Sequence, residues 1–164
     1  MALWPAVVAV FATAVYANSP QTSVAGALVP VDQAFPARPV VRGSRLVVRF
    51  DVLPGHYLYR DRFEATVDGQ PAVVTPLTRG SVRDDPHFGR VEVYDQPTEI
   101  ALALPHDVGS RAVPVAIRFQ GCSERAGVCY PPVTRTYRLQ GQEVTAGELP
   151  RAELRSSLRK WLAP

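Results

Sequence analysis

Phe119-Gln120-Gly121-Cys122 through Cys129-Tyr130-Pro131-Pro132 holds the only two cysteines of the chain, and its flanks decide the fold. Before it, Val113, Val115, Ile117 and Phe119 fall at alternate positions. After it, Val133, Tyr137 and Leu139 do the same, with Arg135 interrupting the apolar face. Alternation of this kind marks half-buried strands, so the stretch reads as a hairpin with Gly121 and Gly127 in its loop and a cysteine at each mouth. Opposed residues of an antiparallel pair lie roughly 4.5 to 5.5 Å apart at Cα, within a disulfide's span. One disulfide is sterically feasible, and spacing alone leaves open whether it is a permanent staple or a bond made and broken in use.

Outward from the hairpin, the same period recurs. Leu46, Val48, Phe50 and Val52 share one face of a strand. Gly55-His56-Tyr57-Leu58-Tyr59-Arg60 reads as a turn feeding a short strand. Phe63 to Val67 ends at Asp68-Gly69, a hairpin signal, with Ala72-Val73-Val74 as its return. The polar run from Thr78 to Gly89 reads as a loop, and Arg90 to Tyr94 and Glu99 to Leu104 as two more strands. Leu28 to Pro36, with a proline at each end, is expected to form only a short edge segment. Short strands between Pro- and Gly-rich turns predict an all-β sandwich, and sixteen prolines argue against a helical core.

The termini differ. Ala2 to Ala17 carries no charged side chain and ends Val15-Tyr16-Ala17, which fits a signal peptide over residues 1–17, although no Lys or Arg stands before the apolar run. Export to an oxidising compartment follows, where a cysteine pair can persist as a disulfide. Residues 18–27 read as a linker and 28–142 as the folded domain. In the tail, 143–164, Leu154, Leu158, Trp161 and Leu162 sit at helical spacing and predict a short amphipathic helix.

At 164 residues the chain is about one domain long. The net charge of +3 comes almost wholly from arginine, and residues such as Arg42, Arg49, Arg60, Arg118 and Arg138 are scattered. The basic stripe that nucleic acid requires is therefore missing. Gly-x-Ser-x-Gly, His-Glu-x-x-His and phosphate-loop patterns are also missing. His56, His87 and His106 lie in separate turns, and Cys122 and Cys129 lack the short spacing of structural zinc sites, so neither metal nor cofactor is expected. That leaves the cysteine pair. Its bond encloses only six residues and on the chain-entropy model stabilises by about 2.5 kcal/mol, roughly half the value for a 100-residue loop. Tyr130-Pro131-Pro132 stiffens the chain directly after Cys129, which suits a sulfur held for exchange.

Five segments, in order, carry a resemblance: Leu28-Val29-Pro30-Val31-Asp32-Gln33-Ala34-Phe35, Gly55 to Arg60, Phe88-Gly89 through Glu92-Val93-Tyr94, Gln120-Gly121-Cys122, and Cys129-Tyr130-Pro131-Pro132. Together they resemble the N-terminal periplasmic domain of the thiol:disulfide interchange protein DsbD. The resemblance implies an immunoglobulin-like β-sandwich and a periplasmic protein-disulfide reductase type of thiol-disulfide oxidoreductase. Cys122 and Cys129 would be the redox pair, with Cys129 forming the mixed disulfide. Tyr57 and Tyr59 would line the site, with Phe35 a further candidate; read without the resemblance, all three are ordinary strand or core aromatics. Asp85 would belong to a capping loop, where an anion disfavours thiolate. His87 or Phe88 would shield the sulfurs.

The implied partners are a thioredoxin-like or membrane electron donor in trans, and a periplasmic disulfide isomerase or cytochrome-maturation thioredoxin as acceptor, for a monomer. The family continues into a membrane domain and a thioredoxin-like domain. No further apolar span or Cys-x-x-Cys occurs here, so electrons come from a separate protein or the chain is a fragment. The chain also has one more residue between its cysteines than the family pattern, and Pro86 replaces an acidic residue. The competing reading is a non-enzymatic periplasmic interaction module with a structural disulfide.

Overall fold

The computed structural model describes residues 28–86 and 88–147. In chain order these form α1 (Val31–Ala34), β1 (Ala37–Arg42), β2 (Arg45–Phe50), β3 (His56–Tyr59), a 3-10 turn (Arg60–Arg62), β4 (Glu64–Val67), β5 (Gln70–Ala72) and β6 (Thr75–Pro76). They continue with β7 (Ser81–Asp85), β8 (Gly89–Tyr94), β9 (Thr98–Ala103), β10 (Val113–Phe119), β11 (Gly121–Ser123), β12 (Val128–Cys129), β13 (Val133–Gln140) and β14 (Glu143–Ala146). Three antiparallel sheets result, ordered β1-β2-β9-β6, β14-β13-β10-β4-β5 and β12-β11-β3-β8-β7. The first two enclose the core and the third carries the cysteines.

The alternating residues pack as their spacing predicts. Leu46, Val48 and Phe50 of β2, with Ile100 and Leu102 of β9, share one buried cluster with Val113, Val115, Ile117 and Phe119 of β10 and Leu139 of β13. Phe50 and Phe119 meet edge to face, with ring centroids 5.0 Å apart. Each such side chain, fully buried, gains about 1.5–3 kcal/mol of transfer free energy before ordering entropy is set against it. Asp68 and Gly69 both take left-handed φ, 54° and 73°, so the two-residue turn between β4 and β5 matches the twist of its strands.

Three expectations need correction. Leu28 to Pro36 holds no edge strand: Val31–Ala34 is a single helical turn in which the Pro30 carbonyl accepts from Gln33 N and Ala34 N, both at 2.9 Å. Arg135, the residue that breaks the apolar face of β13, pairs with Asp32 of this turn. The edge position falls to β1, which tolerates Pro39 because one side of it needs no ladder donors. The run from Thr78 to Gly89 is not simply a loop, since Ser81–Asp85 pairs with β8 from Ser81↔Val93 to Asp85↔Gly89. The cysteine stretch is two pairings rather than one hairpin. β10 pairs β13 from Val113↔Leu139 to Phe119↔Val133, and β11 then pairs β12 in another sheet with Cys122 opposite Cys129.

Between those pairings Gln120 and Gly121 on one strand face Tyr130, Pro131 and Pro132 on the other, an unequal count that bends the hairpin from one sheet into the next. The ordered sheet also runs into the expected tail, because β14 pairs β13 and Val144 packs on the core. The signal peptide, the linker, the C-terminal helix and His87 lie outside the described residues. No helix among the described residues is long and apolar enough to cross a membrane.

Candidate functional site

β3 builds the floor of the site. Because side chains alternate along a strand, Tyr57 and Tyr59 face one way, into a cluster with Val93 and Cys122, while Leu58 faces the main core. β11 runs antiparallel beside it and sets Cys122 opposite Tyr57 and Gly121 opposite Leu58. Only glycine fits there: a Cβ on Gly121 would lie 2.5 Å from the Tyr57 carbonyl oxygen and 2.6 Å from Phe35 Cζ.

Cys122 and Cys129 form a disulfide, with an S–S distance of 2.02 Å. Cys122 is 2% exposed and Cys129 is half-buried, so Cys129 is the more accessible partner. Tyr59 Oη lies 3.1 Å from Cys122 Sγ and 3.6 Å from Cys129 Sγ. Its proton goes elsewhere: Tyr59 Oη and Tyr57 Oη both donate to Asp85 Oδ2, at 2.7 and 2.6 Å. Burial, followed by the bond to Asp85, raises the Tyr57 phenol above its ordinary range, and burial followed by the bond to Tyr57 raises Tyr59. Both hydroxyls therefore stay protonated at neutral pH and remain donors.

Asp85, buried at the end of β7, accepts a third bond from the Phe88 backbone N–H at 3.1 Å, as suits an acceptor-only carboxylate. These bonds hold the β7–β8 turn down on the tyrosines. Phe88 stands edge to face on Tyr59, centroids 5.1 Å apart, and the Arg62 guanidinium lies 4.5 Å above its outer side. Beside this cap, Tyr57, Arg83, Asp85, Cys122, Glu124, Cys129 and neighbouring residues line an open cleft of about 220 Å³. A sulfur in this setting is shielded on the cap side and open toward the cleft, which is the geometry thiol-disulfide exchange needs.

Of the residues singled out from sequence, Cys122, Cys129, Tyr57, Tyr59, Asp85 and Phe88 come together. Phe35 does not join them. It is fully buried in the main core behind Gly121, edge to face with Tyr130 and His56, on the other side of the sheet from the sulfurs. Sequence reasoning missed Arg83, whose guanidinium sits 4.4 Å over the Tyr57 ring and pairs with Glu124 of the cysteine loop. It also missed Arg62 on Phe88. The signal for Arg83 was its place two residues before Asp85, which in a strand puts both side chains on one face.

Residues 25–141 match the family described as thiol:disulfide interchange protein DsbD, N-terminal. Among curated proteins, the thiol:disulfide interchange protein DsbD of Vibrio cholerae is 37% identical over 108 residues, 65% of this chain and 17% of that protein. The corresponding protein of Pectobacterium atrosepticum is 34% identical over 124 residues, 76% of this chain and 21% of its own length. The chain thus spans about a fifth of these relatives. Among solved structures, the reduced form of the Neisseria meningitidis DsbD N-terminal domain superposes with a TM-score of 0.65 at 28% identity, over 74% of this chain and 96% of that one. The complex between the DsbD N-terminal and PilB N-terminal domains of the same organism gives 0.61 at 26% identity, over 76% and 97%. The immunoglobulin-like sandwich expected from sequence is the fold observed.

Proposed function

Since the chain belongs to the family of N-terminal domains of the thiol:disulfide interchange protein DsbD, we propose that it is a thiol-disulfide exchange module working through Cys122 and Cys129. The observation that carries this reading is the placement of both cysteines opposite one another, one sulfur accessible, beside a cleft and under a cap held by hydrogen bonds. In the reduced state the Cys129 thiolate attacks a sulfur of the partner's disulfide. A Cys129–partner disulfide forms, and the partner's other sulfur leaves as thiolate and takes up a proton. Cys122 then loses its proton and attacks Cys129 Sγ, which restores the Cys122–Cys129 bond and releases the second partner thiol. Two electrons pass to the partner, making this half-reaction protein-disulfide reduction.

The surroundings restrain the pair between encounters. Tyr59 Oη, its proton given to Asp85, offers the sulfurs an acceptor, which suits a thiol rather than a thiolate. Displacing the β7–β8 cap carries Asp85 away from Tyr59 and frees the phenol proton to donate to a sulfur, which favours thiolate as a partner docks. The partners that fit are thioredoxin-like proteins of the periplasm, one donating to the pair and another accepting from it. A domain complex of the Neisseria relative supports such docking.

Equilibrating the protein with glutathione or thioredoxin buffers tests the reading. The expected potential lies in the span of roughly −270 to −180 mV occupied by thioredoxin-fold couples, whereas a structural staple lies below about −300 mV. Cys122→Ala should accumulate mixed disulfides through Cys129 in a periplasmic extract. A staple-like potential with no trapped species overturns the proposal and leaves a static interaction module.

A further inference from the structure

Arg83 and Glu124 belong to opposite walls of the cleft. Arg83 is on β7, an edge of the β12-β11-β3-β8-β7 sheet, and Glu124 opens the turn that follows β11. Strands β8 and β3 lie between, a span of about 14 Å at the usual strand spacing. The two side chains span it together over the face of the sheet, the Arg83 guanidinium 4.4 Å above the Tyr57 ring and its Nη1 paired with Glu124 Oε1. The glutamate end is anchored, because Glu124 N donates to the Gly55 carbonyl at 2.9 Å. Asp85 fixes the cap to the buried floor, whereas this ion pair ties it to the cysteine loop across the cleft.

From this geometry we infer that Arg83 is a positioning residue and that the Arg83–Glu124 pair is a latch across the cleft, limiting the rate at which a thiol reaches the Cys122–Cys129 bond. The inference deepens the exchange reading and rests on it for its biological meaning. An incoming sulfur approaching through the cleft must pass between β7 and the cysteine loop, and the two walls cannot part while the pair is made. The side chains are 33% and 44% exposed, so added salt weakens the pair without touching the buried Asp85 bonds.

The test is the rate of reduction of the oxidised protein by excess dithiothreitol, read by thiol alkylation, with thermal unfolding as a fold control. Glu124→Gln removes the ion pair and leaves Arg83 over Tyr57. It should accelerate reduction about two- to five-fold, the range a partly exposed pair supports. Arg83→Gln should do the same, the double variant should be no faster than either, and the exchanged pair Arg83→Glu with Glu124→Arg should slow reduction again. The wild-type rate should rise with sodium chloride more steeply than that of Glu124→Gln. A Glu124→Gln rate equal to wild type, effects that multiply in the double variant, or equal salt dependence each overturn the latch. Dithiothreitol needs no docking partner, so the rates decide the latch even if the measured potential refutes the exchange role.

Discussion

Gly121→Ala probes the close approach of β11 to β3. The added Cβ would meet the Tyr57 carbonyl oxygen at 2.5 Å, where ordinary contact begins at 3.4 Å, so the strands must separate by about 0.9 Å unless another group yields. Phe35 Cζ, at 2.6 Å, can swing, but the carbonyl belongs to a strand paired on both sides, by β11 and β8. Overpacking of this kind costs about 1–3 kcal/mol. At about 4 °C per kcal/mol for a domain of this size, the unfolding midpoint should fall by about 4–12 °C. The same displacement carries Cys122 Sγ from 3.1 Å toward about 4 Å from Tyr59 Oη, beyond useful contact. Circular dichroism of oxidised wild type and variant reads the first effect, and the pH profile of alkylation of the reduced proteins reads the second. Adding Phe35→Leu should not rescue the variant, because the carbonyl remains. A midpoint within about 1 °C of wild type would show that β11 has slack at this position and refute the reasoning.

Asp85→Asn replaces the buried acceptor of the bonds from Tyr57, Tyr59 and Phe88 N by a group with donors of its own; about 1.5–3 kcal/mol should be lost in denaturant unfolding at unchanged slope, and a loss below about 0.5 kcal/mol would mean the tyrosines repartner freely. Phe88→Ala should cost no more than about 1.5 kcal/mol, since Phe88 is partly exposed, yet speed dithiothreitol reduction; an unchanged rate would show that the ring does not shield the bond. The described tyrosines, Tyr57, Tyr59, Tyr94, Tyr130 and Tyr137, are all raised above 10.0, burial being the largest cause. Above pH 10 the folded state therefore binds more protons than the unfolded one, so stability is intact below that pH and falls as pH rises through it. Phenolate absorbance of the native protein should lag behind that of the urea-unfolded protein, and coincident curves would contradict the burial argument.

The strands of the core were legible because their apolar residues alternate: Leu46, Val48 and Phe50, or Val113, Val115, Ile117 and Phe119, turn one face to the same buried cluster. The cysteine pairing and the two tyrosines were legible for a different reason, the ordered resemblance of five short segments. What escaped has a common physical cause. β7 carries Arg83, Asp84 and Asp85, and its inward residues are satisfied by ring faces, phenols and a carboxylate rather than by apolar contact, so no hydrophobic period marks it. Phe35 lies near the site in the fold but behind the sheet, a distinction that depends on the helical turn at Val31–Ala34, which two flanking prolines concealed. Arg62 reaches Phe88 only because a 3-10 turn follows Tyr59.

The bend between the two pairings of the cysteine stretch has a kinetic consequence. Seven residue pairs of β10 and β13 clamp the base of the hairpin independently of the bond at its tip. When that bond opens, the sulfurs remain tethered a few ångströms apart instead of dispersing as they would on a free loop. Their effective concentration with respect to each other therefore exceeds the millimolar values that short flexible tethers give, because the clamped base holds them near and oriented. On the proposed exchange reading, a partner caught on Cys129 would be expelled by Cys122 in an intramolecular step, so the captured intermediate would be short-lived. The six residues between the cysteines lie beyond the sulfurs, where their number has no bearing on that proximity.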